Sequence, residues 1–199
     1  MSVTESAHSA LWWHPLPEWF PEGGGRVLTR LARSSIKGAL GNDPSFAMQA
    51  AWLKQQAAVF VTLTKHGDLR GCIGSLEAHR SLVEDVRGNA VAAALNDLRF
   101  PPLTLDELEQ CEIEVSLLTE PRPMEVKDEA DALAQLKPGV DGIIFESAGR
   151  RATFLPQVWE QLAEPREFLT KLKQKAGFAA DYWAADVRLQ RYGAVKFKE

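Results

Sequence analysis

The chain has few of the residues that mark metal and nucleotide sites. It contains two cysteines, Cys72 and Cys111, and both lie in strand-like segments rather than at the spacings of a disulfide-stapled scaffold. The four histidines show none of the spacings typical of zinc sites. No glycine-rich phosphate loop or dinucleotide fingerprint follows a strand-like segment. We therefore expect no metal, no nucleotide and no other cofactor.

The sequence also lacks a recognisable targeting segment. Residues 1–8 carry no positive charge, and Trp, Pro and Glu follow them instead of a continuous apolar stretch, so we expect no secretion signal. No apolar run is long enough to cross a bilayer, so we expect no membrane association. Together with the sparse cysteines, these features favour a cytoplasmic location.

Charge and composition limit the class of partner. The chain has 23 basic and 27 acidic residues, which gives a net charge of −4. A surface that mainly neutralises a phosphate backbone would be basic, so a nucleic acid is a disfavoured partner. With 45% hydrophobic residues over 199 positions, the chain can bury one sizeable core, and we expect a single domain.

The first 25 residues differ from the rest. Residues 1–25 are rich in tryptophan and proline and end in three consecutive glycines, which predicts an extended arm preceding a domain over residues 26–199. Aromatic side chains are costly to leave in water, so we expect the arm to pack on the domain or across a dimer contact. A role as a peptide ligand is the alternative.

Residue periodicity predicts an α+β domain with an antiparallel sheet and flanking helices. Hairpins occur without regular alternation of strands and helices, which argues against a doubly wound fold. The predicted helices cover residues 26–40, 82–96, 128–136 and the stretch between Pro165 and Gly177, with a short helix after Thr104. The predicted strands cover residues 59–64, 69–74, 111–118, 142–147, 151–155 and 187–197, and Pro121 and Pro123 mark a loop.

The hexapeptide LRGCIG at residues 69–74 invites a chemical interpretation. In an extended strand Arg70 and Cys72 share one face while Ile73 packs on the other. Arg70 can then lower the pKa of the thiol, and His79 or His66 can act as a base if the fold brings either close. Asp97 and Arg99 are further candidate polar partners. Such a set suits acyl or isopeptide chemistry.

A structural interpretation competes with the catalytic one. Cysteine is among the most buried residue types, and Gly71 and Gly74 can relieve a bulge or let another backbone pass close. Arg70 can equally anchor a carboxylate such as Asp97. We expect Cys111 to be a core residue, and Asp106, Glu107 and Glu109 to decorate the surface of the short helix.

The hexapeptide resembles the signature of the AMMECR-one domain family, whose bacterial members are called AmmeMemoRadiSam system protein A. The resemblance covers residues 26–197 and continues in NDLRFP at 96–101, IEVSLL at 113–118 and TFLPQVW at 153–159. Two positions depart from the family pattern: Leu98 stands where the family usually has proline, and the closing segment 192–197 lacks the usual polar pair.

We take Gly71, Ile73, Gly74, Asp97, Arg99 and Phe100 as candidate binding residues and a small molecule as a candidate ligand. The resemblance implies a two-lobed domain with a cleft. It also implies partners resembling a Memo-type protein and a radical SAM enzyme. Two functions stay open: an accessory or binding component of that pathway, and an enzyme that uses Cys72 as nucleophile or redox thiol, with Arg70 and His79 assisting, on a small molecule or a modified side chain.

Overall fold

The computed structural model describes residues 16–42 and 50–199, which fall into two compact units. The motif unit comprises Leu16–Leu118 and Val195–Glu199, and the second unit comprises Thr119–Ala194. The strands are β1 Val59–Lys65, β2 Asp68–Gly74, β3 Cys111–Leu118, β4 Arg122–Met124, β5 Gly142–Ser147, β6 Arg150–Phe154, β7 Arg188–Tyr192 and β8 Ala194–Lys198. The α-helices are α1 Gly24–Ala39, α2 Leu82–Leu95, α3 Leu105–Leu108, α4 Glu129–Gln135 and α5 Pro165–Lys175.

The motif unit is a sheet with helices on one face. The strand order is β2-β1-β3-β8, and β1 pairs antiparallel with both β2 and β3. Burial alternates along β1, because Val59, Val61 and Leu63 are buried while the residues between them are half-buried. The buried face of the sheet packs against the apolar stripes of α1 and α2 and forms one core with them.

Local signals place the hairpin and α2 as expected. His66 and Gly67 both have positive φ, at 54° and 89°, which matches the two-residue turn that suits the twist of antiparallel strands. Ser81 and Glu84 form a capping box at the start of α2. The predictions for this hairpin, for α2 and for Cys111 in the core are confirmed.

The three glycines that end the arm allow close packing and also mark the start of α1. Gly23 precedes α1 with a φ of 72°, but Gly24 and Gly25 already belong to the helix. A Cβ on Gly25 would lie 2.2 Å from the Phe197 ring, and one on Gly24 would lie 2.8 Å from the Phe20 ring. Phe20 and Phe197 stack with their ring centroids 5.2 Å apart. The described end of the arm therefore packs on the motif unit, and the rest of the arm lies outside the described residues.

The second unit has a separate sheet and core. Its strand order is β4-β7-β5-β6, with every pairing antiparallel. Trp159 stacks on Phe168 of α5, with centroids 3.8 Å apart, and the Trp159 indole N–H donates to the Asp141 carbonyl at 2.7 Å. Lys173 is fully buried, and its ammonium donates to Glu129 at 2.7 Å.

Two strand predictions were wrong. The single last strand over residues 187–197 is two strands, β7 and β8, which belong to different sheets. The chain changes sheet at Gly193, whose N–H donates to the Thr119 hydroxyl at 2.8 Å and whose carbonyl accepts from the Thr119 N–H at 2.9 Å. The predicted loop at Pro121 and Pro123 contains β4, an edge strand, where proline is tolerated because one side of the strand needs no ladder bonds.

The α+β prediction is confirmed by two antiparallel sheets with flanking helices. None of the helices in the two described ranges combines the length and the apolar character that a bilayer span requires.

Candidate functional site

The hexapeptide lies on β2, one of the two edge strands of the motif unit's sheet, and it contains a β-bulge. Leu63 pairs with Gly71 and Thr64 pairs with Leu69, so Arg70 is an extra residue on β2. The strict alternation of faces therefore stops at Arg70. Arg70 reaches towards α3, whereas Cys72 contacts Thr62, which lies on the opposite face of β1 from Val61 and Leu63. The prediction that Arg70 and Cys72 share one face was wrong.

Arg70 is held by a bidentate ion pair. Its Nε and Nη2 donate to the two carboxylate oxygens of Glu107 at 2.8 and 2.9 Å, and Nη2 also donates to the Pro101 carbonyl at 2.9 Å. The guanidinium carbon lies 5.7 Å from the centroid of the Phe100 ring. Arg70 is 8% exposed. These contacts tie the motif strand to α3 and to the loop that precedes it.

Glu107 is the carboxylate partner that sequence reasoning missed. Thr104 caps α3 by accepting from the Glu107 N–H, while the Glu107 side chain turns to Arg70 and to Lys65, whose Nζ lies 3.2 Å away. The Arg70 hydrogen bonds, with help from Lys65 and against the effect of burial, lower the pKa of Glu107 to about 2. The prediction that Glu107 merely decorates the helix surface was wrong, since its side chain joins three elements.

The glycines of the motif permit close approach, as one interpretation predicted. A Cβ on Gly71 would lie 2.2 Å from the backbone carbonyl oxygen of Ala93 in α2. A Cβ on Gly74 would lie 2.2 Å from the ring of Phe60, its cross-strand partner. Gly71 therefore sets how closely β2 packs on α2.

Asp97 and Arg99 hold the outer edge of β2 at Cys72. The Asp97 carboxylate accepts from the Cys72 N–H at 2.9 Å, and Arg99 Nη2 donates to the Cys72 carbonyl at 3.1 Å. Arg99 also binds Asp97 directly, through Nε at 2.9 Å and Nη2 at 2.7 Å. The hydrogen bond from Arg99 is the largest of the contacts that hold the pKa of Asp97 well below its usual range. Side chains thus satisfy backbone N–H and C=O groups that an exposed strand edge would leave unpaired.

The structure brings Cys72, Asp97 and Arg99 together. The Cys72 sulfur accepts from the Thr62 hydroxyl at 3.3 Å, and Cys72 is half-buried. The His79 side chain is 75% exposed and contacts Glu77 at 3.3 Å. His66 lies at the hairpin tip, four strand residues beyond Thr62, which corresponds to about 13 Å along the strand. The guanidinium beside the thiol is that of Arg99, whose pKa is raised first by Asp97 and to a lesser extent by Cys72.

A buried polar network fixes the loop that follows the motif. Asp85 of α2 accepts from the Val59 N–H at 2.8 Å, the Ser75 hydroxyl at 2.6 Å and Arg80 Nε at 2.7 Å. Asn89 donates to the same Asp85 carboxylate at 3.0 Å. The chain after Gly74 is therefore tied to the start of β1 and to α2. Across the two described ranges, no group of three His, Cys, Asp or Glu side chains is arranged to hold a metal ion.

The loop between α2 and α3 displays an exposed leucine. Leu98 is 99% exposed, compared with 44% for each of Leu69 and Leu76. Its neighbour Asp97 is buried and Phe100 is half-buried. The Phe100 N–H donates to the Asp97 carbonyl at 3.0 Å, so the backbone around Leu98 is closed into a turn.

Comparison with protein-family models finds one match. The model described as AMMECR1, written AMMECR-one above, matches residues 29–197. This match includes the hexapeptide, the Asp97 to Phe100 segment and α3.

Comparison with individual proteins finds relatives of nearly the same length. A protein of Methanothermobacter thermautotrophicus is 38% identical over 182 residues, which covers 88% of this chain and 94% of that protein. A protein of Methanocaldococcus jannaschii is 36% identical over 180 residues, which covers 88% of this chain and 90% of that protein. Among solved structures, an uncharacterized protein from Pyrococcus horikoshii superposes with a TM-score of 0.73 at 33% identity, covering 92% of this chain and 93% of that chain.

Proposed function

We propose that this protein, which belongs to the AMMECR1 family, works as a binding or accessory component in which the LRGCIG strand is a rigid scaffold. Its proposed partners are a Memo-like protein and a radical SAM enzyme, the pair that the name of the bacterial family implies. Catalysis would then reside in a partner, and this chain would supply a preformed surface.

The observation that carries the proposal is that Arg70 and the Cys72 backbone use most of their polar groups in internal contacts. Arg70 is bound at Nε and Nη2 by Glu107 and Pro101, and the backbone of Cys72 is bound on both sides by Asp97 and Arg99. A catalytic guanidinium must reach the reacting atoms, but Arg70 is buried and points away from the thiol. Such contacts lower the entropy cost of binding because the surface is ordered beforehand.

The enzyme alternative has one favourable observation. Cys72 is half-buried rather than fully buried, and the Arg99 guanidinium lies close enough to interact with its sulfur. A nearby cation favours the thiolate that performs nucleophilic chemistry. The alternative requires a base within reach of the thiol and predicts that Cys72→Ser abolishes pathway activity without weakening complex formation.

The test of the binding proposal is a titration of the purified full-length protein against each purified candidate partner from the same organism. We expect a stable complex with at least one of them by isothermal titration calorimetry, and the same affinity for Cys72→Ser, whose hydroxyl can still accept from Thr62. If neither partner binds, the proposal is overturned.

A further inference from the structure

We infer that Leu98 and the outward side of the Arg99 guanidinium form the docking point for a protein partner that offers an apolar pocket beside a carboxylate. This inference rests on the proposed binding function and specifies the surface that performs it. Leu98 is the most exposed of the three large apolar residues that stand out in the described ranges. A single exposed leucine is ordinary, so the case depends on how this one is presented.

The backbone that presents Leu98 is fixed on both sides. Asp97 is 6% exposed, and its carboxylate binds β2 through the Cys72 N–H at 2.9 Å. Beyond the loop, the Leu103 N–H donates to the Ala94 carbonyl at 2.9 Å. Leu98 therefore extends into solvent from a segment that is anchored to both the sheet and α2. A partner that buries it needs to order only the leucine side chain, which keeps the entropy cost of binding low.

Arg99 adds directional chemistry beside the leucine. Its Nε and Nη2 donate to the Asp97 carboxylate, and Nη2 also donates to the Cys72 carbonyl. The side chain is 55% exposed. Asp97 grips one side of the planar guanidinium, so the other side is preoriented for an acceptor. A carboxylate is the acceptor that gives the strongest hydrogen bonds with this group.

The combination selects a protein partner. A fully exposed leucine gains free energy only when it enters an apolar pocket, and a phosphate backbone does not provide one. The net charge of −4 also disfavours a nucleic acid. Arginine is among the residues enriched at the energetic centres of protein interfaces.

The experiment compares Leu98→Asp with Leu76→Asp. Both variants add one negative charge to an exposed leucine of the motif unit, so the second controls for charge alone. The full-length wild type and both variants are titrated by calorimetry against the purified Memo-like and radical SAM proteins, and each is also run in sedimentation velocity. We expect Leu98→Asp to weaken the wild-type complex by at least about 30-fold and Leu76→Asp to change it by less than about threefold.

Each other outcome is decisive. If Leu98→Asp binds as well as the wild type, the docking inference fails while the binding function stands. If both variants weaken binding equally, charge alone is responsible and the inference fails. If Leu98→Asp abolishes self-association of the wild type, the occupant is a second copy of this chain and not a separate partner. If the wild type binds neither protein, both the inference and the proposed function fail.

Discussion

Two arginine–carboxylate pairs flank β2, and they differ chiefly in exposure. The Arg70 side chain is 10% exposed and binds Glu107, whereas the Arg99 side chain is 55% exposed and binds Asp97. Both pairs are bidentate, and both also bind a backbone carbonyl, Pro101 for Arg70 and Cys72 for Arg99. The same chemistry therefore serves two purposes. The covered pair fixes the fold of the motif, and the exposed pair fixes an edge that is still open to a partner.

Because the two arginines differ in exposure, we expect loss of Arg70 to destabilise the fold more than loss of Arg99. A buried carboxylate that loses its cation keeps an uncompensated charge in a poorly solvated place, which costs several kcal/mol. Asp97 is buried, but Arg99 is half-exposed and Asp97 keeps the backbone N–H groups of Cys72 and Arg99 as donors. Water can therefore replace a lost Arg99 guanidinium, and we expect the cost to be that of an exposed pair, about 1 kcal/mol. We therefore expect the effects of substitutions to decrease from the covered side of the strand to the exposed side.

Replacement of Arg70 has the largest expected effect. Arg70→Met keeps most of the side-chain volume but leaves Glu107 with Lys65 alone, so we expect the free energy of unfolding to fall by about 3 kcal/mol. Urea unfolding followed by circular dichroism measures this loss. A loss no greater than that of Arg99→Met would contradict the division between the two pairs.

Substitution of Gly71 tests the close approach of β2 to α2. The new Cβ of Gly71→Ala would lie 2.2 Å from the Ala93 carbonyl oxygen, and two backbones must separate to relieve the contact, so we expect a loss of about 2 kcal/mol. Gly74→Ala is the matched control, because its Cβ meets the Phe60 ring, which can turn aside. Equal melting temperatures for the two variants would show that β2 is free to shift.

The Glu107 pair predicts a loss of stability in acid. Arg70 lowers the pKa of Glu107 to about 2, whereas an unfolded glutamate has a value of about 4.3, so the pair stabilises the fold fully above that value. The contribution declines as the pH falls from about 4.3 towards 2. Glu107→Gln is therefore less stable than the wild type at pH 7, and the gap narrows at pH 3. Urea midpoints at both pH values check this, and a constant gap would argue against the ion pair as its source.

Loss of the exposed arginine has the smallest expected effect on stability. Arg99→Met removes two contacts to Asp97 and one to the Cys72 carbonyl. Because Arg99 is half-exposed, water can take its place, and Asp97 keeps two backbone N–H donors, so we expect a loss of about 1 kcal/mol. Differential scanning calorimetry of the variant and the wild type gives the shift in melting temperature, from which the loss of stability follows. A loss of 3 kcal/mol or more would place Arg99 with Arg70 among the residues that hold the fold.

The parts of the fold that local chemistry determines were predictable from the sequence. The His66-Gly67 turn, the Ser81 and Glu84 capping box and the proline that opens α5 each depend on residues a few positions apart. The change of sheet at Gly193 was not predictable, because it depends on Thr119, which lies 74 positions earlier. The alternation of apolar and polar residues along 187–197 is imperfect around Gly193, and this irregularity does not distinguish a bent strand from a change of sheet.

Sequence reasoning grouped Cys72, Asp97 and Arg99 but missed the partner of Arg70. Cys72, Asp97 and Arg99 do come together, whereas the partner of Arg70 is Glu107, 37 positions away. The bulge at Arg70 reverses the face of its side chain, and no local pattern in LRGCIG distinguishes a bulge from a regular strand. The one available signal was Thr104 followed three residues later by Glu107, which places a glutamate at the start of a short helix.

The reactivity of Cys72 tests the central claim, that the motif strand is a scaffold, most directly. The measurement is the rate of iodoacetamide alkylation at pH 6 in a Cys111→Ala background, in which the buried second thiol is removed and only Cys72 reports. Because the thiolate is the reactive form, a functional nucleophile reacts much faster than free cysteine under these conditions. We predict a rate no greater than that of free cysteine. A rate at least about tenfold higher would identify an activated thiol and contradict the scaffold account.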